Sequence, residues 1–104
     1  MARDVSGSWE IQQSNMPDGP RVRFNIQQIG TTIIGGASFG GTSGSGIGQV
    51  GDNSFLYTVT WSGGESVGEY TGTFQPNGRL SGFSFDIKNP ASQATWVAPD
   101  RVFN

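Results

Sequence analysis

A chain of 104 residues with a net charge of −2 and 13% charged side chains has room for one domain and one core. It has no basic run to neutralise phosphates, which argues against nucleic-acid binding. With no His and no Cys, it also lacks the Ser-His-Asp arrangement, the usual zinc ligands and any disulfide.

Hydrophobic residues make up 34%, so burial falls largely to seven Phe, three Trp and two Tyr, each worth roughly 2–3 kcal/mol when fully buried. No apolar stretch approaches the roughly 18–20 residues of a membrane helix. The amino end lacks the basic-then-apolar form of a signal peptide, and without Cys the compartment is unread.

Seventeen Gly and five Pro punctuate the chain, and no segment holds a 3.6-residue apolar period. Short alternating runs between turn signals predict strands over 7–14, 21–29, 31–39, 45–51, 54–62, 68–75, 79–88 and 92–99. Residues 1–104 therefore read as one all-β domain, a single up-and-down antiparallel β-barrel of about eight strands with no significant helix. The Gly-Ser repeat from Gly40 to Gly48 reads equally as the fourth strand or as a low-complexity linker.

Tight reversals are expected at Gly30-Thr31, Asp52-Asn53 and above all Asn77-Gly78, a pair suited to a two-residue type I′ turn. Asp18-Gly19-Pro20 closes a longer first loop, and Asn89-Pro90 stops the seventh strand.

The alternation places Trp9 and Ile11 on one face, with Val22, Phe24, Ile26, Phe55, Tyr57, Val59, Trp61, Tyr70, Gly72, Phe74, Phe83, Phe85, Ile87, Ala94 and Trp96. The other face carries Glu10, Arg21, Arg23, Asn25, Thr58, Thr60, Glu69, Thr71, Thr73, Ser84 and Asp86. Closing such a sheet removes its edges and encloses the aromatics. A two-residue turn at Asn77-Gly78 sets Gly72 against Phe83 and Tyr70 against Phe85. A turn centred on Gly64-Glu65-Ser66 sets Trp61 against Tyr70 and Tyr57 against Phe74, and across the first hairpin Gln12 would face Arg23 and Glu10 would face Asn25.

The run Trp9-Glu10-Ile11-Gln12-Gln13 is echoed by Phe24-Asn25-Ile26-Gln27-Gln28. In antiparallel neighbours both copies aim a glutamine inward, Gln13 at one barrel end and Gln28 at the other, either into the interior or onto loop backbone at the rims. The end opposite Trp9 then gathers Gln13, Val22, Trp61, Tyr70, Phe85 and Trp96. Large rings beside an amide can build a concave site for an uncharged ligand. Equally, small barrels fill their interiors with side chains.

These residues resemble a family. Gly7-Ser8-Trp9 looks like the Gly-x-Trp opening of the calycin barrels, the lipocalins and avidins. Thr58-Val59-Thr60-Trp61, Tyr70-Thr71-Gly72, Phe85, Trp96 and Asp100 follow the order of the avidin strands. The resemblance implies an aromatic cage in which Trp61 and Trp96 match tryptophans, while Tyr70 and Phe85 replace two others. Phe39 stands where avidins have a ligand-bonding tyrosine and lacks its hydroxyl, and the strand before Tyr70 reads Val67-Gly68-Glu69. Lost buried hydrogen bonds cost roughly 1–3 kcal/mol each, so tight biotin binding is not implied.

The leading expectation is a non-enzymatic binding protein for an uncharged small ligand, an apolar organic molecule or a sugar. Its candidate site is Gln13, Trp61, Tyr70, Phe85, Trp96 and Asp100, with no cofactor and no metal. Asn15, Asp18, Asp52, Asn53 and Arg101 are further loop candidates. The alternative is a homo-oligomeric assembly module with a filled core. An enzyme is disfavoured because Glu10, Glu69 and Asp86 read as outward-facing, leaving no inward carboxylate pair.

Overall fold

In the computed structural model, which describes residues 2–15, 19–64 and 66–103, the described residues form strands joined by turns and loops, with no helix among them. The strands are β1 (Gly7–Gln13), β2 (Val22–Ile29), β3 (Thr32–Phe39), β4 (Thr42–Val50), β5 (Ser54–Trp61), β6 (Val67–Phe74), β7 (Leu80–Asp86) and β8 (Asn89–Val97). Each pairs antiparallel with its neighbours, and β1 with β8 closes the barrel. That closure is short: Gln12 faces Val97 and Gln13 faces Trp96.

The Gly-Ser repeat is strand. Along β4, Gly44, Gly46 and Gly48 face inward opposite Trp61, Val59 and Tyr57 of β5, while Ser43, Ser45, Ile47 and Gln49 point outward. A Cβ on Gly46 would sit 2.2 Å from the Tyr57 ring. Missing side chains at every second position are what let the large β5 residues fill the interior.

The turn at Asn77-Gly78 differs from the expected form. Gly78 alone takes the left-handed conformation (φ 84°) and Asn77 does not. The Gln75 carbonyl accepts the Gly78 N–H at 2.8 Å, and Gln75 N–H donates to Arg79 O at 2.8 Å. Pro76 and Asn77 thus form a turn followed by a left-handed glycine, a three-residue loop rather than two. One extra residue slips the register by one and exchanges the faces. Tyr70 faces Ser84 and Gly72 faces Gly82. Ser84 is the buried residue, and Phe83 and Phe85 lie outside with ring centroids 6.1 Å apart.

Smaller slips occur elsewhere. Across β5 and β6, Tyr57 faces Tyr70 and Trp61 N–H bonds to Ser66 O. This is four residues from the expected register, an even shift that keeps every side chain on its face; Glu65 lies outside the described residues. Glu10 faces Arg23, not Asn25. Asn89-Pro90 opens β8 rather than stopping β7. Asp18, in the expected first loop, lies outside the described residues.

The core is a column of rings. Trp9 meets Phe24 at 5.2 Å, Phe55 at 5.6 Å and Phe103 at 4.9 Å, Phe24 meets Tyr57 and Tyr70 at 5.1 Å each, and Phe55 meets Trp96 at 6.0 Å.

Both chain termini seal one end. Val5 and Phe103 are buried there, the Trp9 indole donates to Val5 O at 2.9 Å, and Arg3 donates to Asp52 O and Phe103 O at 2.8 Å. Gln28 belongs to this seal. Its Oε1 accepts the Val5 N–H at 2.8 Å, and its Nε2 donates to Arg3 O at 2.9 Å and Gly30 O at 3.0 Å. An inward glutamine is tolerated because both ends of its amide are bonded.

Candidate functional site

The opposite end is open. Gln13 at the end of β1 with Asn15 beyond it, Trp61 at the end of β5, Ser66 just before β6 with Gly68 and Tyr70 on it, Ser84, Phe85 and Asp86 on β7, and Ser92, Gln93 and Ala94 on β8 surround a pocket of about 120 Å³. Its floor is the top of the ring column, where Tyr70 is buried against Phe24. Trp61 packs on the core while staying partly exposed. The interior below is a plug and the mouth above it is a shallow site.

Of the expected site residues, Gln13, Trp61 and Tyr70 come together here. Trp96 does not belong with them. It is 2% exposed, packs on Phe55, and its Cη2 lies 2.9 Å from where a Cβ on Gly72 would be, so it is part of the plug. Phe85 borders the pocket, but the register slip turns its ring onto Phe83 on the outer wall. Asp100 lies on the barrel's outside, where its Oδ2 is 2.5 Å from Arg21, which also approaches Glu10 at 3.7 Å. An exposed cluster of this kind is worth about 0–1 kcal/mol.

The same slip that removes Phe85 brings in groups the sequence placed outside. Ser84 is buried and donates to Ala94 O at 3.4 Å. Asp86, expected to face solvent, caps the mouth. Its Oδ1 accepts the Lys88 N–H at 2.9 Å and the Val67 N–H at 3.3 Å, and its Oδ2 accepts from Ser66 Oγ at 3.0 Å. The Lys88 amide foremost, with Ser66, Val67 and Asn89, holds its carboxyl below the usual carboxylate range against the opposing effect of burial. Lys88 Nζ donates to Gly64 O on the same rim, so among the described residues the rim carries one charge of each sign.

Tyr70 is the counterpart. Burial pushes its hydroxyl up to about 12; the Trp61 indole N–H donating to its oxygen opposes that rise, and the Asp86 charge adds to it. At neutral pH the mouth therefore presents a neutral phenol and an ionised carboxylate. Gln13 Nε2 donates to Asn15 Oδ1 at 3.2 Å, which leaves Gln13 its Oε1 and a second Nε2 proton. Among the described residues no group of three or more acidic, His or Cys side chains could hold a metal ion.

The chain matches no protein-family model, no curated protein and no solved structure.

Proposed function

We propose that this barrel is a non-catalytic binding protein that takes a small uncharged ligand at its open end. The observation that carries the reading is the one-sided closure. The far end is sealed by the termini, the interior is filled with rings, and the open end keeps a pocket of about 120 Å³ roofed by a partly exposed Trp61. A cavity of about 150 Å³ holds a benzene-sized guest, while drug-sized ligands need about 300 Å³ or more; the mouth suits one small ring or the terminal unit of something larger. The rim's paired charges favour a neutral guest, and Asp86 is the one carboxylate on the pocket wall among the described residues, without the partner that two-carboxylate hydrolysis needs. The avidin-like expectation enters only through Trp61 and Tyr70, the two cage positions that line the mouth.

Titration with methyl β-D-glucopyranoside and with toluene tests this. One of them should shift the Trp61 indole resonance at millimolar concentration while that of Trp9 stays fixed. Unmoved Trp61 with both would overturn the site.

A second reading has its own support. From 24 to 64 the one charged residue is Asp52, and Ile34, Ile47 and Leu56 stand exposed on this β3–β5 wall. Such a wall meets a second copy without like-charge repulsion. Light scattering giving twice the chain mass would favour assembly through it, and the monomer mass would retire it.

A further inference from the structure

The hydrogen-bonding groups of the mouth are set in opposite senses. Tyr70 lines the pocket opposite Ser84, and its hydroxyl has a proton to give. The groups around it offer lone pairs. Ser84 Oγ has given its proton to Ala94 O and the Asp86 carboxylate can only accept, while Gln13, with one Nε2 proton given to Asn15, keeps its Oε1 lone pairs and a second proton. Donors and acceptors set side by side are matched by a group that accepts and donates through a single atom. A hydroxyl does both, a carbonyl can only accept, and an ammonium can only donate. The ammonium also meets Lys88 on the rim.

Space points the same way. Gly68 lies over Tyr70, and a Cβ there would fall 2.9 Å from its ring and 3.2 Å from its hydroxyl oxygen. The absent side chain keeps that hydroxyl reachable, and the partly exposed Trp61 ring offers a face on which a ring's C–H groups can stack.

We propose that the mouth recognises a hydroxylated six-membered ring, such as a sugar unit, with Tyr70 donating to a ring hydroxyl that in turn donates to the acceptors around it, and with Gly68 setting the access. This rests on the mouth being the binding site, and the probes are chosen to separate the two.

The test is a matched series on the intact chain, followed through the Trp61 indole resonance: trans-cyclohexane-1,2-diol, cyclohexanone, cyclohexylammonium and methyl β-D-glucopyranoside. The diol and the glucoside should bind roughly tenfold more tightly than the ketone, the difference one well-placed hydrogen bond makes. Tyr70→Phe, which keeps the ring, should erase that gap. Gly68→Ala should weaken the diol and the glucoside in a protein whose circular dichroism is unchanged, and it serves where Tyr70→Phe fails to fold. A ketone bound as tightly as the diol, an ammonium bound most tightly, or a Tyr70→Phe variant that keeps the preference would overturn the hydroxyl assignment and leave the mouth as a site. No response to any probe would remove the site as well.

Discussion

Trp96→Ala should cost about 3–5 kcal/mol, the penalty for emptying a packed aromatic position, and Trp61→Ala no more than about 1–2 kcal/mol. The two tryptophans read alike in the sequence, each ending an alternating strand, and they part in the structure. Trp96 is buried against Phe55 and Gly72, so its removal would empty a packed position. Trp61 sits at the rim with one side in solvent. Trp96 has a further oddity, since its indole N–H is buried without a described partner. An unmet buried donor costs about 1–3 kcal/mol, so Trp96→Phe should lose much less than Trp96→Ala. Urea unfolding followed by far-ultraviolet circular dichroism measures all three without depending on tryptophan emission. Equal losses at Trp61 and Trp96 would mean that the mouth is packed as tightly as the plug.

The barrel was legible because its evidence is local. Period-two alternation in β1, β2, β5, β6 and β8 assigns faces without knowledge of partners, and the faces held even where registers slipped by two or four residues. The β7 assignment failed for one residue of turn length. Asn77-Gly78 suits a two-residue turn, but Pro76, with its fixed φ, takes the second turn position and leaves Gly78 the left-handed one. That single step exchanged Phe83 and Phe85 for Ser84 and Asp86, and so changed the mouth from rings beside one amide to a more polar site. The alternation gave no warning, because Phe83, Phe85 and Ile87 with Ser84 and Asp86 between them favour the opposite sense. The seal at the far end was out of reach, because contacts such as Arg3 with the Phe103 carbonyl join residues about as far apart as the chain allows, and no periodicity records them. Asp100, chosen by resemblance, found its partner in Arg21 on the outer wall.

Gly48→Ala should destabilise the fold by about 3 kcal/mol or more, at the upper end of what strain and overpacking cause. Its Cβ would stand 1.8 Å from the Leu56 carbonyl oxygen and 2.9 Å from the Tyr57 Cα, and these are backbone atoms in the paired strand that cannot turn aside. Gly46→Ala meets a side chain instead, the Tyr57 ring, whose hydroxyl bonds to Gly36 O at 3.2 Å. The ring can shift, so about 1–3 kcal/mol is expected there. Ser45→Ala, between them and facing out, should stay within about 0.5 kcal/mol. The sign makes the series informative. In a Gly-Ser linker, replacing glycine by alanine stiffens the unfolded chain and stabilises by about 0.4–1 kcal/mol. In the strand, the clash outweighs that gain several-fold. Thermal and urea midpoints for the three variants therefore report directly on β4: losses that alternate along the strand place its glycines under the aromatic rings of β5, while small uniform gains would take β4 out of the barrel and leave Tyr57 without its wall.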